Sequence, residues 1–145
     1  MALVNPKTPA NIGGVLRAAG CFKAALVVIG GPRPARLSRL ATDTQKAWRH
    51  IPHVLVPDVF DAIPYACVPI AVDLLPDARP LPSYIHPERA FYIFGAEDAT
   101  LNKAITERCH DKIVIPTNFC LNLAACVNVV LYDRLAKGLK NGNAQ

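Results

Sequence analysis

No run in this chain approaches the roughly 18–20 consecutive apolar residues that span a bilayer, so no membrane-spanning helix is expected. The opening residues 1–6 lack a basic segment followed by a cleavable apolar stretch, so no signal peptide is expected and the protein is placed in the cytoplasm. Cysteines are scattered at 21, 67, 109, 120 and 126, odd in number and without a C-x-x-C pair. That argues against a disulfide framework or a zinc site and leaves them as small apolar packing groups. The four histidines, His50, His53, His86 and His110, share no spacing, and neither an HExxH motif nor a Ser-His-Asp order is present. Metalloenzyme and triad-hydrolase readings are poor on that ground. Acids are scarce: 11 Asp and Glu against 16 Lys and Arg, a net charge of +5. Arg33, Arg36, Arg39, Lys46, Arg49 and His50 crowd one stretch with Asp43 as its only acid, and Lys137 and Lys140 lie near the end. A basic face of this kind suits a polyanion, RNA first. A solvated basic helix without a partner explains the same charges equally well.

What is present is a core. At 145 residues and 52% hydrophobic content, the chain is one domain able to bury its apolar side chains. Short apolar runs alternate with helix-like stretches, which predicts βαβ units and an α/β fold with a mostly parallel sheet flanked by helices. Strands are expected over 2–4, 24–29, 53–56, 68–72, 90–94 and 112–115. A helix capped by Asn11 runs to about 19, with Ile12, Val15, Leu16 and Ala19 on one face. Short helices are predicted over 36–40 and 44–49, a helical turn over 57–63 and a proline-rich loop over 73–87. A long final helix spans 121–139, apolar at Leu123, Val127, Val130, Leu131 and Leu135, with a stop at Lys137-Gly138. Its apolar residues on more than one face, Ala124, Val127, Val129 and Val130, call for cover by a partner or by the chain's own C-terminal topology. The domain extends over 1–140, and 141–145 form a frayed tail. Gly30-Gly31 lacks the third glycine of a dinucleotide fingerprint and reads as a plain turn.

Three segments place polar residues or glycine where an apolar strand meets a turn or helix, the place where open α/β sheets bind ligands. In the first, Asn5-Pro6-Lys7-Thr8-Pro9-Ala10-Asn11-Ile12-Gly13, Asn11 and Gly13 sit at a helix start, whose free N–H groups attract anions. Arg17 lies one turn on, where a guanidinium can clamp a phosphate or remain a surface charge. In the second, Phe94-Gly95-Ala96-Glu97, the glycine admits close ligand approach, and Glu97 either accepts ligand hydrogen bonds or opens the next helix. In the third, Ile115-Pro116 leads through a tight loop to Leu121-Asn122-Leu123, where Asn122 is a helix cap or a polar group of the site.

Taken in order, these segments resemble the three motifs of the SpoU/TrmH-type RNA ribose methyltransferases of the SPOUT superfamily. The match rests on Asn11-x-Gly13-x-x-x-Arg17, Phe94-Gly95-x-Glu97, and Ile115-Pro116 with Leu121-Asn122-Leu123 and Val129-Val130-Leu131-Tyr132-Asp133. It spans residues 2 to about 137, and the Pro6-x-x-Pro9-x-Asn11 opening is most similar to the short single-domain subgroup that methylates tRNA at the wobble nucleotide. The resemblance implies a parallel sheet whose C-terminal segment forms a deep trefoil knot, a homodimer, and S-adenosylmethionine held by the second and third motifs. It implies cofactor contacts from Val72, Phe94, Gly95, Ile115, Pro116, Cys120, Leu121 and Leu123. It also implies that Arg17 acts on the RNA from the neighbouring subunit, with Asn11, Glu97 and Asn122 orienting Arg17, cofactor and ribose. Because a guanidinium stays protonated, the role assigned to Arg17 is phosphate anchoring and alkoxide stabilisation rather than proton abstraction.

The chain departs from the family pattern at Ala96, where proline is usual, at Thr100, where glycine is common, and at Cys120, which replaces a serine. The loop from 115 to 122 is also about two residues short. A base-methylating SPOUT enzyme and an RNA-binding protein on a degenerate methyltransferase fold remain alternatives at this stage.

Overall fold

Alternation of buried side chains along the strands sets the architecture. In the computed structural model, described for residues 1–32 and 46–140, the elements are β1 (Ala2–Val4), α1 (Pro9–Cys21), β2 (Val27–Gly30), β3 (His53–Val56), β4 (Val68–Val72), β5 (Arg79–Pro80), β6 (Ala90–Phe94), α2 (Lys103–Thr106), β7 (Asp111–Val114) and α3 (Leu123–Lys140). Single 3-10 turns stand at Ala47–Arg49, Val59–Ala62 and Leu81–Ser83. The strands form one sheet in the order β3-β2-β1-β6-β4-β7-β5, and every pairing is parallel. Leu3, Ile70, Val72, Tyr92 and Phe94 face one side, packed with Ile12, Val15 and Leu16 of α1 and Val127, Val130 and Leu131 of α3. Ala2, Val28, Ala71, Phe91 and Ile93 face the other, against Val59 and Leu101. A period of two with both faces covered is what a parallel sheet requires.

Several element boundaries depart from the sequence reading, each for a local reason. Helix α1 begins at Pro9, and Thr8 occupies the cap position in extended conformation without a side-chain cap bond. Proline has its φ preset for the first helical position and lacks an N–H that would need a partner there, so Asn11 falls inside the first turn and caps nothing. The predicted strand over 24–29 shortens to β2 because the N–H of Ala24 returns to the Ala19 carbonyl at 2.8 Å. The loop over 73–87 contains β5 and a 3-10 turn. Helix α3 begins two residues later than predicted because Asn122 caps it, and it runs through Gly138 to Lys140 instead of stopping at Lys137-Gly138. Gly30 ends β2 and the chain turns plainly at Gly31, which has φ +108° and where a Cβ would lie 3.0 Å from the Cα of Asn5. The predicted helix 36–40, residues 44–45, the tail 141–145, and Arg33, Arg36, Arg39 and Asp43 lie outside the described residues, and the described part of the predicted helix 44–49 forms only the 3-10 turn Ala47–Arg49.

Helix α3 is pinned at its far end by polar contacts with the segment before β6. Arg134 donates to the carbonyls of Pro87 (2.7 Å) and Glu88 (2.5 Å) and to the Tyr92 hydroxyl (3.2 Å). Lys137 donates to the carbonyls of Leu81 (2.6 Å) and Tyr84 (2.9 Å). His86 bridges Asp133 (2.8 Å) and the Tyr92 hydroxyl (2.6 Å). A carboxylate only accepts, so Nε2 carries the imidazole proton and Nδ1 accepts from Tyr92. The excess apolar residues on this helix are largely spent inside the fold. Val127 and Val130 are fully buried, and Ala124 packs on α1. The apolar side chains left outside are Val129, Tyr132, Leu135 and Leu139, 39–63% exposed, so Leu135 is not a core residue.

Helices α1 and α3 touch where Gly14 faces Ala124: a Cβ on Gly14 would lie 2.8 Å from the Ala124 Cβ. Gly14→Val is therefore expected to push the helices apart and cost about 1–3 kcal/mol of stability. Urea unfolding followed by circular dichroism checks this; an unchanged midpoint would show that the crossing has slack.

Candidate active site

The site is built from three chain segments that meet at the carboxyl ends of β4, β6 and β7. At the end of β6 the chain turns through Gly95 and projects Glu97 toward the head of α1. The Glu97 carboxylate accepts the backbone N–H groups of Lys7 (2.8 Å) and Thr8 (3.3 Å), the Thr8 hydroxyl (3.0 Å) and the Asn11 side-chain amide. The Asn11 carbonyl oxygen accepts the Asn122 amide at 2.7 Å. The Asn122 oxygen in turn accepts the N–H groups of Ala124 (2.9 Å) and Ala125 (3.3 Å) at the start of α3. Glu97, Asn11 and Asn122 thus form one hydrogen-bonded line joining all three segments.

Two readings from the sequence change here. The anion at the head of α1 is the protein's own Glu97, so that end is not open to a phosphate. Glu97 also does not open a helix, since α2 starts only at Lys103, capped by Asn102. Burial works to raise the Glu97 pKa, but the bonds from Asn11, the Lys7 N–H and Thr8 outweigh it and bring it to about 2.

Beside this line lies a cavity of about 400 Å³. Val72, Phe94, Gly95, Ile115, Cys120, Leu121 and Leu123 line it, as does Glu97. Pro116 is not among the lining residues, and Asn11 and Asn122 reach the cavity through Glu97. Arg17 stands exposed on α1 and does not line the cavity. Gly95 has no room for a side chain, since a Cβ would meet the Ala99 carbonyl oxygen and Asp73 Oδ2 at 3.1 Å each. Thr117 closes its own loop by donating to the Phe119 carbonyl at 2.8 Å.

Sequence reasoning missed Asp73, Thr100, Thr117 and Cys126 in the lining. The available signal for Asp73 was an acid placed immediately after the buried run 68–72. Asp73 Oδ2 accepts the Leu101 N–H at 2.6 Å and Oδ1 the Leu74 N–H at 2.7 Å, so this carboxylate ties β4 to the loop after β6.

The profile of the SpoU rRNA Methylase family matches residues 1–132. The chain belongs to that family. Among curated proteins none matches the sequence. Solved structures of family members share the fold. AviRb, a SpoU methyltransferase from Streptomyces viridochromogenes, superposes with a TM-score of 0.85 at 20% identity over 99% of this chain and 60% of its own. The TrmH/SpoU tRNA modifying enzyme of A. aeolicus gives 0.84 at 15% identity, over 98% and 76%. A protein studied for 2-OH methylation of C/U34 on tRNA gives 0.76 at 20% identity, over 96% and 95%. This chain thus spans three-fifths of AviRb and nearly the whole of the last relative.

Glu97 accepts bonds that the neutral acid cannot hold as well, so its folded pKa lies below the ordinary value of 4.5. The stabilisation it contributes is complete above pH 4.5 and lost as pH falls toward about 2. Glu97→Gln is expected to cost about 1–2 kcal/mol at neutral pH, with the gap to wild type narrowing below pH 4.5. Denaturant unfolding of both proteins across that range checks it; a gap independent of pH would remove the charge from the explanation.

Proposed function

We propose that this protein is an S-adenosylmethionine-dependent RNA methyltransferase that transfers a methyl group to a ribose 2′-OH, with tRNA as the RNA. The observation that carries this reading is the meeting of the three motif segments on one cavity, joined through Glu97, Asn11 and Asn122. The cavity suits the proposed cofactor. Its volume of about 400 Å³ falls in the range of about 300–1,000 Å³ for small-molecule sites. Val72, Phe94, Ile115, Leu121 and Leu123 give a heterocycle an apolar slot, and Gly95 and Cys120 lie beside them in the lining. AviRb, which shares the fold, is known in complex with AdoMet. The relative that matches this chain nearly end to end concerns 2-OH methylation on tRNA.

When bound, S-adenosylmethionine supplies an electrophilic methyl on a positively charged sulfur. The protein's part is placement. Gly95, Ile115, Cys120, Leu121 and Leu123 hold the donor, with Val72 and Phe94 flooring the slot. Asn11 and Asn122, fixed by Glu97, orient the edge of the site where the ribose enters. Holding the hydroxyl in line with the methyl supplies several kcal/mol of the barrier. Arg17, exposed and away from its own cavity, anchors the phosphate beside the target ribose in the neighbouring subunit and stabilises the developing alkoxide. The homodimer this requires is supported by the outward apolar residues of α3, Val129, Tyr132, Leu135 and Leu139. The reading includes a knotted C-terminal segment and a cytoplasmic protein.

Incubation with tRNA and tritiated donor, followed by nuclease digestion and mass spectrometry, should yield a 2′-O-methylated nucleoside. A methylated base, or no transfer to any RNA, would overturn the reaction assigned. Arg17→Ala is expected to keep donor affinity by calorimetry while methylation falls on the order of a hundredfold or more; full activity would remove Arg17 from the site. Sedimentation at micromolar concentration should show a dimer, and a monomer throughout would sink the shared-site arrangement.

A further inference from the structure

The cavity has a charge pattern opposite to that of the protein around it. The whole chain carries +5, yet Asp73, Glu97 and Asp98 are among the residues that line the cavity and none of the lining residues is Lys, Arg or His. The three acids are not equivalent. Glu97 spends its oxygens on the head of α1. Asp98 has the Lys7 ammonium at 3.5 Å. Asp73 is bonded to two backbone N–H groups, one on each oxygen, and forms no ion pair among the described residues. A carboxylate has about four lone-pair sites, so Asp73 keeps acceptor capacity as well as its full charge. Its Oδ2 also lies 3.1 Å from where a Cβ on Gly95 would stand, and both residues line the cavity. The Cys126 thiol, also in the lining, is pushed up to about 12, by burial first and then by the charge of Asp73. Burial disfavours any charge here, whereas the Asp73 charge disfavours an anion and favours a cation.

We propose that Asp73 sets a charge preference in this cavity, holding a cationic ligand more tightly than a neutral one of the same shape. The proposal rests on the methyl-donor reading above. Transfer of the methyl group to the ribose oxygen leaves the electron pair of the broken bond on sulfur, so the sulfonium becomes a neutral thioether while the hydroxyl proton leaves to solvent. Asp73 therefore distinguishes the molecule before reaction from the molecule after it, and the cavity keeps the donor while releasing the spent product. Apolar lining residues such as Leu121 and Phe94 touch both molecules alike and cannot make that distinction.

The test is calorimetric titration of the full chain with S-adenosylmethionine and with S-adenosylhomocysteine, at low and at physiological ionic strength. The sulfonium is expected to bind on the order of tenfold tighter than the thioether, with the ratio falling as salt rises. Asp73→Asn, which keeps an oxygen for the Leu101 N–H, should bring the ratio close to one, mainly by weakening the sulfonium. Equal binding of both ligands by the wild-type protein, or a ratio unchanged in Asp73→Asn, overturns the proposal and leaves the methyl-donor reading standing. Failure of the wild-type protein to bind either ligand overturns the donor reading and this proposal with it. The wild-type salt series decides the matter even if Asp73→Asn does not fold.

Discussion

A single carboxylate fixes the order of the site. Asn11 and Asn122 each carry an amide whose two ends differ only in whether they donate or accept. Glu97 accepts only, so it requires the nitrogen of Asn11. That leaves the Asn11 oxygen pointing at Asn122 and requires the nitrogen of Asn122 in turn. The Asn122 oxygen is then left for the first free N–H groups of α3. One charge orients two side chains that are 111 residues apart in sequence, and through them caps a helix. In a network of this kind each bond polarises the next, and a missing member leaves its neighbours with partners of the wrong sign.

That line is also where two helices begin. The heads of α1 and α3 lie side by side because Asn11 and Asn122 meet, and further along the two helices are close enough for Gly14 to lie against Ala124. The far end of α3 is held independently, by Arg134 and Lys137 on backbone carbonyls and by Asp133 through His86 to Tyr92. A helix fixed at both ends makes a rigid wall, and Leu123 and Cys126 are the parts of it that face the cavity. The opposite boundary is different in kind. Between β7 and α3 the Thr117 hydroxyl bonds to the carbonyls of Ile115 and Phe119 to shape the turn, with Phe119 itself 84% exposed. The cavity therefore joins a stiff side, set by the core, to a side defined by a short loop, as expected where a parallel sheet delivers its chain ends to a binding crevice.

Much of this was readable before any coordinates. The strands at 53–56, 68–72 and 90–94 match β3, β4 and β6, because unbroken apolar runs bounded by Pro, Asp or Gly leave little choice. What escaped was whatever depended on a partner distant in sequence. Asn11 looks like a cap locally, and only the arrival of Glu97 from 86 residues away gives it other work. The acid at the end of β4 reads as a strand boundary until the loop after β6 folds against it. The two-residue strand β5, with a proline at its edge position, has too little side-chain pattern to announce itself. Gly138 suggests a stop, yet it lies on an exposed helical turn with nothing within 4 Å of where its Cβ would be, so the end of α3 was decided by the contacts of Lys137 instead.

The distribution of charge ties site and surface together. A polyanion approaching this molecule is drawn by an overall surplus of +5, but the cavity is lined by Asp73, Glu97 and Asp98, which repel its phosphates. The attraction is long-ranged and the repulsion local, so on the proposed reading an RNA docks with its backbone held off the cavity. On the proposed reading, the reacting hydroxyl must still come within bonding distance of a group bound among those carboxylates. A compact cation on a rigid element is needed to fix the adjoining phosphate and leave the ribose as the part that reaches inward. Arg17 has those properties: it is borne on α1, whose head is locked to Glu97, and it stands exposed beyond the acidic lining. Separating the cation from the carboxylates in this way avoids their neutralising each other, which a single pocket holding both could not do. On the proposed reading, the absence of Arg17 from the lining of its own cavity follows from the chemistry, and the proposed second copy of the chain brings the two kinds of charge to one substrate.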